Sequence, residues 1–158
     1  MKVSMLLIAG ALFVTSCDTR RVYEKNQDFA HRYWLAADRP QFEFEIQDPS
    51  LKYNIYINVR TESNFPNANL YYIYTLTDST GKELEEKLVS EFLFDKKTGK
   101  PLGSSGLGDI YDHRFLLLPD YSFSHPGKYR IHYEQFMRTD TLRGILAIGL
   151  RVEQSEAI

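Results

Sequence analysis

The densest group of residues able to do chemistry is Asp109, Asp112, His113 and Arg114, directly after a glycine-rich stretch. Two carboxylates three positions apart could ligate calcium, which needs several converging oxygens, or act as general acid and base on a glycosidic bond across one cleft. The spacing of a helix-loop-helix calcium site is absent. Aspartates beside glycines commonly close turns by accepting backbone amides, so this group is read as a supported turn. A second group, Arg138, Asp140 and Arg143, brackets the turn Thr139-Asp140-Thr141. A structural ion pair or an Asx turn is expected there, and exposed arginines also mark protein contact surfaces. Asp109, Asp112, Arg114, Arg138, Asp140 and Arg143 are therefore the candidate interaction surface.

Other signatures of reaction chemistry are absent. His31, His113, His125 and His132 lack the short helical spacing that announces a zinc pair. There is no phosphate-binding glycine loop, no dinucleotide fingerprint after a strand and no Gly-x-Ser-x-Gly elbow. No catalytic residue, metal ligand or cofactor is assigned, and an enzyme is not expected. With 19 Lys and Arg against 21 Asp and Glu over 158 residues, the net charge of −2 offers no clustered excess for a phosphate backbone. Nucleic acid is set aside as a partner.

The single cysteine, Cys17, excludes an intrachain disulfide and a thiolate-rich zinc site. Its context assigns it another role. Lys2 precedes an apolar run from Val3 to Val14, and Thr15 and Ser16 stand before the cysteine. That is the three-part pattern of a secretory signal, and the run is shorter than the roughly 18 residues needed to span a bilayer. Val14-Thr15-Ser16-Cys17 resembles the bacterial lipobox, whose cysteine is acylated and becomes the first residue of the mature chain. Each buried CH₂ of such a lipid contributes about 0.8 kcal/mol, and two or more chains hold a protein on a membrane without a spanning segment. Arg20 and Arg21 could then touch lipid phosphates or form part of a solvated tether.

The elements that must carry these residues are strands. Residues 1–16 are read as signal peptide and 17–40 as a lipidated tether and arm, with Tyr33 and Trp34 its strong apolar pair. Residues 41–158 are read as the folded domain. Phe42, Phe44 and Ile46 alternate with Glu43, Glu45 and Gln47; Tyr53, Ile55, Ile57 and Val59 alternate in the same way. Leu70 to Thr77 is rich in strand-favouring residues, and Glu83 to Phe94 is read as a strand because a hairpin glycine precedes it. Tyr111–Leu118, Lys128–Met137 and Leu142–Val152 complete the set. Residues 95–108 hold four of the nine glycines and are expected as a long exposed loop. Seven or eight strands without a convincing helix predict an all-β, single-domain antiparallel β-sandwich. Aromatic residues, 14% of the chain, are read mainly as core, with Tyr71 facing opposite to Tyr72 and Tyr74. A carbohydrate-binding sandwich, its exposed aromatic rings stacking on sugars, is the rival reading.

Several separated segments share an order with one family. Cys17-Asp18 followed by Arg21-Val22-Tyr23, NVRTESNFPNANLY (58–71), GLGDIYD (106–112) and FMRTDTLRGILAIGLRVE (136–153) together resemble the gliding-motility lipoprotein family GldH of the Bacteroidetes. The resemblance implies a lipid-anchored envelope protein, attached through Cys17, that works with other envelope proteins of a motility machinery overlapping the type IX secretion system. It implies no enzymatic activity and no cofactor. The surface-export signal of this phylum places acidic residues after the lipidated cysteine, whereas here Thr19, Arg20 and Arg21 follow Asp18. That departure implies the periplasmic side.

Overall fold

The computed structural model describes residues 18–156, so the segment read as a signal peptide and Cys17 lie outside the described residues. Its elements are β1 (Arg21–Asp28), β2 (Tyr33–Leu35), β3 (Gln41–Ile46), β4 (Lys52–Glu62), β5 (Asn69–Asp78), β6 (Glu83–Phe92), β7 (Ser104–Ser105), β8 (Ile110–Ser122), β9 (Gly127–Gln135), β10 (Thr141–Arg143) and β11 (Ile145–Gln154). All pairings between strands are antiparallel. A five-stranded sheet runs β1-β11-β4-β8-β7, a four-stranded sheet runs β3-β9-β5-β6, and β10 and β2 form a short ribbon. Eight of the strands are long, in line with the expected all-β sandwich. The other three have two or three residues each.

Alternation explains how the two sheets meet. On β4, Tyr53, Ile55, Ile57 and Val59 are buried while the residues between them are only half-covered. Their side chains, with Ile148, Leu150 and Val152 of β11, face Phe42, Phe44 and Ile46 of β3, Ile131 and Tyr133 of β9, and Leu70, Tyr72, Tyr74 and Leu76 of β5. Removing such a stripe of apolar area from water is the main favourable contribution to a two-layer fold. Tyr72 and Tyr74 belong to this core and Tyr71 points out of it, as period two requires.

Three local outcomes differ from expectation, each for a physical reason. The arm in 17–40 carries β1, which lies on the sheet as an edge strand beside β11 from Arg21 to Asp28. Its residues are mostly exposed, so the backbone ladder rather than an apolar face holds it, and the sequence carries no period-two signal there. The last strand is split. Gly144, at φ +82, turns the chain between β10 and β11 where Phe65 packs 3.3 Å from the position a Cβ would take. Finally, β8 continues through Pro119, which is tolerated because β7 covers only the Tyr111 and Asp112 end of that edge.

The register defines two ends of the sandwich. One gathers the start of β1, the end of β11, the 47–51 connection and the 123–126 turn, as the pairs Arg21 with Glu153, Tyr53 with Gln154, Lys52 with Ser122 and Ile46 with Gly127 require. The other gathers residues 29–32, 63–68, 94–109 and 136–140. The eleven residues of β4 separate the two ends by about 35 Å.

Candidate functional site

The glycine-rich stretch is more ordered than a simple loop. The Asp95 carboxylate accepts the amides of Lys97 and Thr98 at 3.0 and 2.7 Å, and Phe94 bridges to Pro101. Gly103 then passes against β8, where a Cβ would lie 2.5 Å from the Asp112 carbonyl oxygen and 2.7 Å from the His113 ring. Only glycine permits this approach, which lets Ser104 and Ser105 pair with β8. Beyond it Leu107 stands 92% exposed.

The six candidate residues do not form one cluster. Asp112 and Arg114 alternate on β8 and both face the outer side of the large sheet. The Arg60 guanidinium grips the Asp112 carboxylate through two hydrogen bonds of 2.8 and 3.3 Å. Arg114 donates to Asn58 Oδ1 at 3.0 Å and to Glu24 at 2.8 Å. Asp109 lies at the far end, its carbonyl oxygen accepting the Ser63 amide at 2.8 Å. Asp109 lines a depression of about 330 Å³ with Arg32, Glu62 and Leu107, whereas Asp112 lines another of about 560 Å³ with Asn26, Asn58 and Arg114. The two aspartates thus share no cleft, and the glycosidase geometry is not met.

Arg138, Asp140 and Arg143 are exposed at the same end as Asp109. The turn between them is not closed by the Asp140 carboxylate. Gln135 closes it, donating to the Thr139 carbonyl at 2.7 Å and accepting the Met137 amide at 2.8 Å. Asp140 contributes its carbonyl oxygen, which accepts the Ala36 amide at 2.8 Å. The segment Glu62-Ser63 joins this side to Asp109, since the Glu62 amide donates to the Gly144 carbonyl at 2.9 Å. Arg138 borders an apolar depression with Tyr71, Leu88 and Phe136.

The most concentrated charge lies where the sequence reading placed nothing. Arg151, with a side chain 8% exposed, donates to Glu24 at 2.8 Å, to Glu153 at 2.6 Å and to Asp18. Tyr56 donates to Glu153 from the neighbouring strand at 2.9 Å. Burial works to raise the Glu24 pKa, but hydrogen bonds from Arg151 and Asn58 and the Arg114 charge outweigh it and hold the carboxyl below its ordinary value. The hydrogen bond from Arg151 likewise lowers Asp18. Four charges, Arg151 with Asp18, Glu24 and Glu153, are thus paired on one sheet face. The signal available was an arginine inside the otherwise apolar run ILAIGL-R-V, two residues before Glu153 on a strand, so that both side chains share a face.

Trp34 is fully buried, its indole nitrogen donating to the Asp38 carbonyl at 2.9 Å, so it offers no face to a sugar ring. The same holds for Tyr53, Tyr72, Tyr74, Tyr129 and Tyr133, which are core residues. Among the described residues no three His, Cys, Asp or Glu side chains converge on a metal-sized space. No helix among them is long and apolar enough to cross a membrane.

By class, then, this is a single-domain antiparallel β-sandwich with an ion-paired outer face and projecting loops at one end. The chain belongs to the GldH lipoprotein family, whose profile matches residues 21–152. It is 28% identical to the gliding motility lipoprotein GldH of Flavobacterium johnsoniae over 162 aligned residues, covering 98% of each chain. It is 27% identical to the gliding motility lipoprotein GldH homolog of Christiangramia forsetii, covering 96% of this chain and 94% of that one. The likeness read from the separated sequence segments therefore extends along the chain. Among solved structures, the infectious bursal disease virus VP2 subviral particle aligns over 92% of this chain and 36% of that one at 15% identity, with a TM-score of 0.29. That score carries no argument.

Proposed function

We propose that this protein is a non-enzymatic, lipid-anchored component of the cell envelope that works with the gliding-motility and type IX secretion machinery. The observation that carries the reading is the family match over residues 21–152, together with near full-length relatives named as gliding motility lipoproteins. Cys17 holds the acyl chains, supported by Val14-Thr15-Ser16 before it and by the lipoprotein character of the family. The domain faces the periplasm, because Thr19, Arg20 and Arg21 stand where surface export would place acidic residues.

The contact surface for other envelope proteins is the loop-bearing end, with Asp109, Arg138, Asp140 and Arg143, while Asp112 and Arg114 contribute from the adjoining sheet face. Exposed Leu107 and Phe136 support this choice, since apolar side chains standing among charges at one end suit a protein partner better than solvent. Cys17→Ala is expected to move the protein from the membrane to the soluble fraction, and a variant still membrane-bound would refute the anchor. Cross-linking in native cells is expected to capture motility or secretion proteins, and Arg138→Ala with Asp109→Ala is expected to weaken that capture. Unchanged capture would remove the contact assignment.

A further inference from the structure

The amino-terminal residues beside the proposed lipid are bound to the sheet rather than hanging from it. Asp18, next in sequence to Cys17, is held through its carboxylate by Arg151, whose guanidinium is itself pinned by Glu24 and Glu153. The Asp18 carbonyl oxygen accepts the Arg21 amide at 3.3 Å, and the Arg20 carbonyl accepts the Gln154 amide at 2.9 Å. Arg20 also pairs with Glu156 at 2.5 Å. From Arg21 onward the chain is in the ladder with β11. No run of unbound residues lies between the sheet and the residue that follows the acylated position.

This matters for how the domain sits. A domain of this size has a radius of gyration of about 14 Å, and each extended residue of tether reaches about 3.5 Å. Turning freely above a membrane therefore takes four or more unbound residues. With none available from Asp18 on, the end of the sandwich that carries Asp18 stays against the surface that the lipid enters.

Resting on the reading of Cys17 as the lipid-bearing residue, we propose that the domain is seated directly on the bilayer. The 47–51 connection, the 123–126 turn and the start of β1 face the lipid, and the 63–68, 94–109 and 136–140 loops are held about 35 Å away. The occupant of this end is the phospholipid surface itself. Leu51, 38% exposed on the 47–51 connection, meets the interface, and exposed Lys52 lies beside it. Arg20, Arg21 and Lys128 are already paired with Glu156, Glu24 and Glu43, so the seat depends on the short tether and not on anionic lipid. The consequence is directional: the loop-bearing end points away from the membrane at a fixed height.

The test uses lipidated full-length protein reconstituted into phosphatidylcholine vesicles containing headgroup spin-labelled lipid. Fluorophores are placed on single cysteines introduced as Leu51→Cys, Ser124→Cys, Leu116→Cys and Leu107→Cys; acylation of Cys17 leaves its sulfur unreactive. Vesicle flotation reads the anchor separately, so protein that does not float refutes the Cys17 reading itself. For floating protein, quenching at Leu51 and Ser124 is expected to exceed that at Leu116 and Leu107 several-fold, and to persist when phosphatidylglycerol is added. Equal quenching at all four positions would overturn the seat. So would strongest quenching at Leu116, which would put the sheet face on the membrane. Inserting eight Gly and Ser residues between Cys17 and Asp18 is expected to equalise the signals without changing flotation; contrast that survives the insertion would also overturn the proposal.

Discussion

Gly149 of the last strand lies directly opposite Asn26 of the first, and the Asn26 side chain crosses over it to accept a hydrogen bond from Asn58 at 3.3 Å. A Cβ on Gly149 would collide with the Asn26 amide and stand 2.8 Å from the Lys25 carbonyl oxygen. The glycine is what lets three strands share one polar side-chain ladder, because a side chain there would lift β1 from the sheet.

Gly149→Ala is therefore expected to destabilise the fold by about 2 kcal/mol, since an added methyl must displace backbone as well as a side chain. Urea denaturation of the soluble domain reads this. Adding Asn26→Ala is expected to recover only part of the loss, because the Lys25 carbonyl remains in the way.

Arg151→Met would leave Asp18, Glu24 and Glu153 gathered without their cation. Breaking a partly buried ion group in this way is expected to cost about 2–3 kcal/mol, less than for a dry interior because the acidic partners reach solvent. The pH dependence follows from the lowered carboxyl pKa values of Asp18 and Glu24. Groups whose folded pKa lies below the unfolded one stabilise above the unfolded value and lose that contribution as pH falls through the folded one. The denaturation midpoint of the native chain is thus expected to fall on acidification below the ordinary values of 4.5 and 3.8, and Arg151→Met is expected to flatten that fall.

His113 titrates in a different window. Its ring is buried beside Phe94 and Phe115 and lies 3.1 Å from the Thr61 hydroxyl; burial lowers its pKa although the Asp112 charge works the other way. A base held neutral by the fold stabilises above its unfolded pKa of 6.5 and loses that contribution as pH falls. His113→Leu is expected to remove the part of the acid sensitivity that begins near pH 6.5, as read from stability against pH and not from stability at a single pH.

The buried tyrosines divide into two sets. Tyr53 and Tyr129 donate to the Asp48 and His125 carbonyls at 2.6 and 2.8 Å, whereas the hydroxyls of Tyr72, Tyr74 and Tyr133 have no hydrogen-bond partner among the described residues. Burial pushes the Tyr74 phenol up to about 12, raises Tyr72 further and holds Tyr133 well above the ordinary phenol value. Tyr53→Phe is expected to cost about 1 kcal/mol, and Tyr72→Phe to be neutral or stabilising, because only the first removes a hydrogen bond. Thermal denaturation of the two variants side by side checks the contrast.

These relationships also show where sequence patterning is informative. Phe42, Phe44 and Ile46 could be read as one face of a strand because the opposite residues are charged and reach water. Arg21–Asp28 could not, since an edge strand held by backbone bonds needs no apolar stripe and only Tyr23 packs against the core. Asp112 and Arg114 read as part of a glycine-supported turn because aspartate favours turns, yet both stand exposed within β8. Their partners Arg60, Asn58 and Glu24 were not legible either, because cross-strand register is set by the whole sheet and those residues lie 52, 56 and 90 positions away. Arg151 was concealed by its apolar neighbours on a central strand, and Gln135 by a turn that looked as though its own aspartate closed it.

The proposed lipid at Cys17 fixes this sandwich to the envelope, and intact-mass analysis of protein extracted from native membranes reads that modification. The expected species begins at Cys17, lacks residues 1–16 and is heavier than the bare polypeptide by a glyceride and its acyl chains. An uncleaved chain, or one that begins at Cys17 with no added mass, would contradict the account.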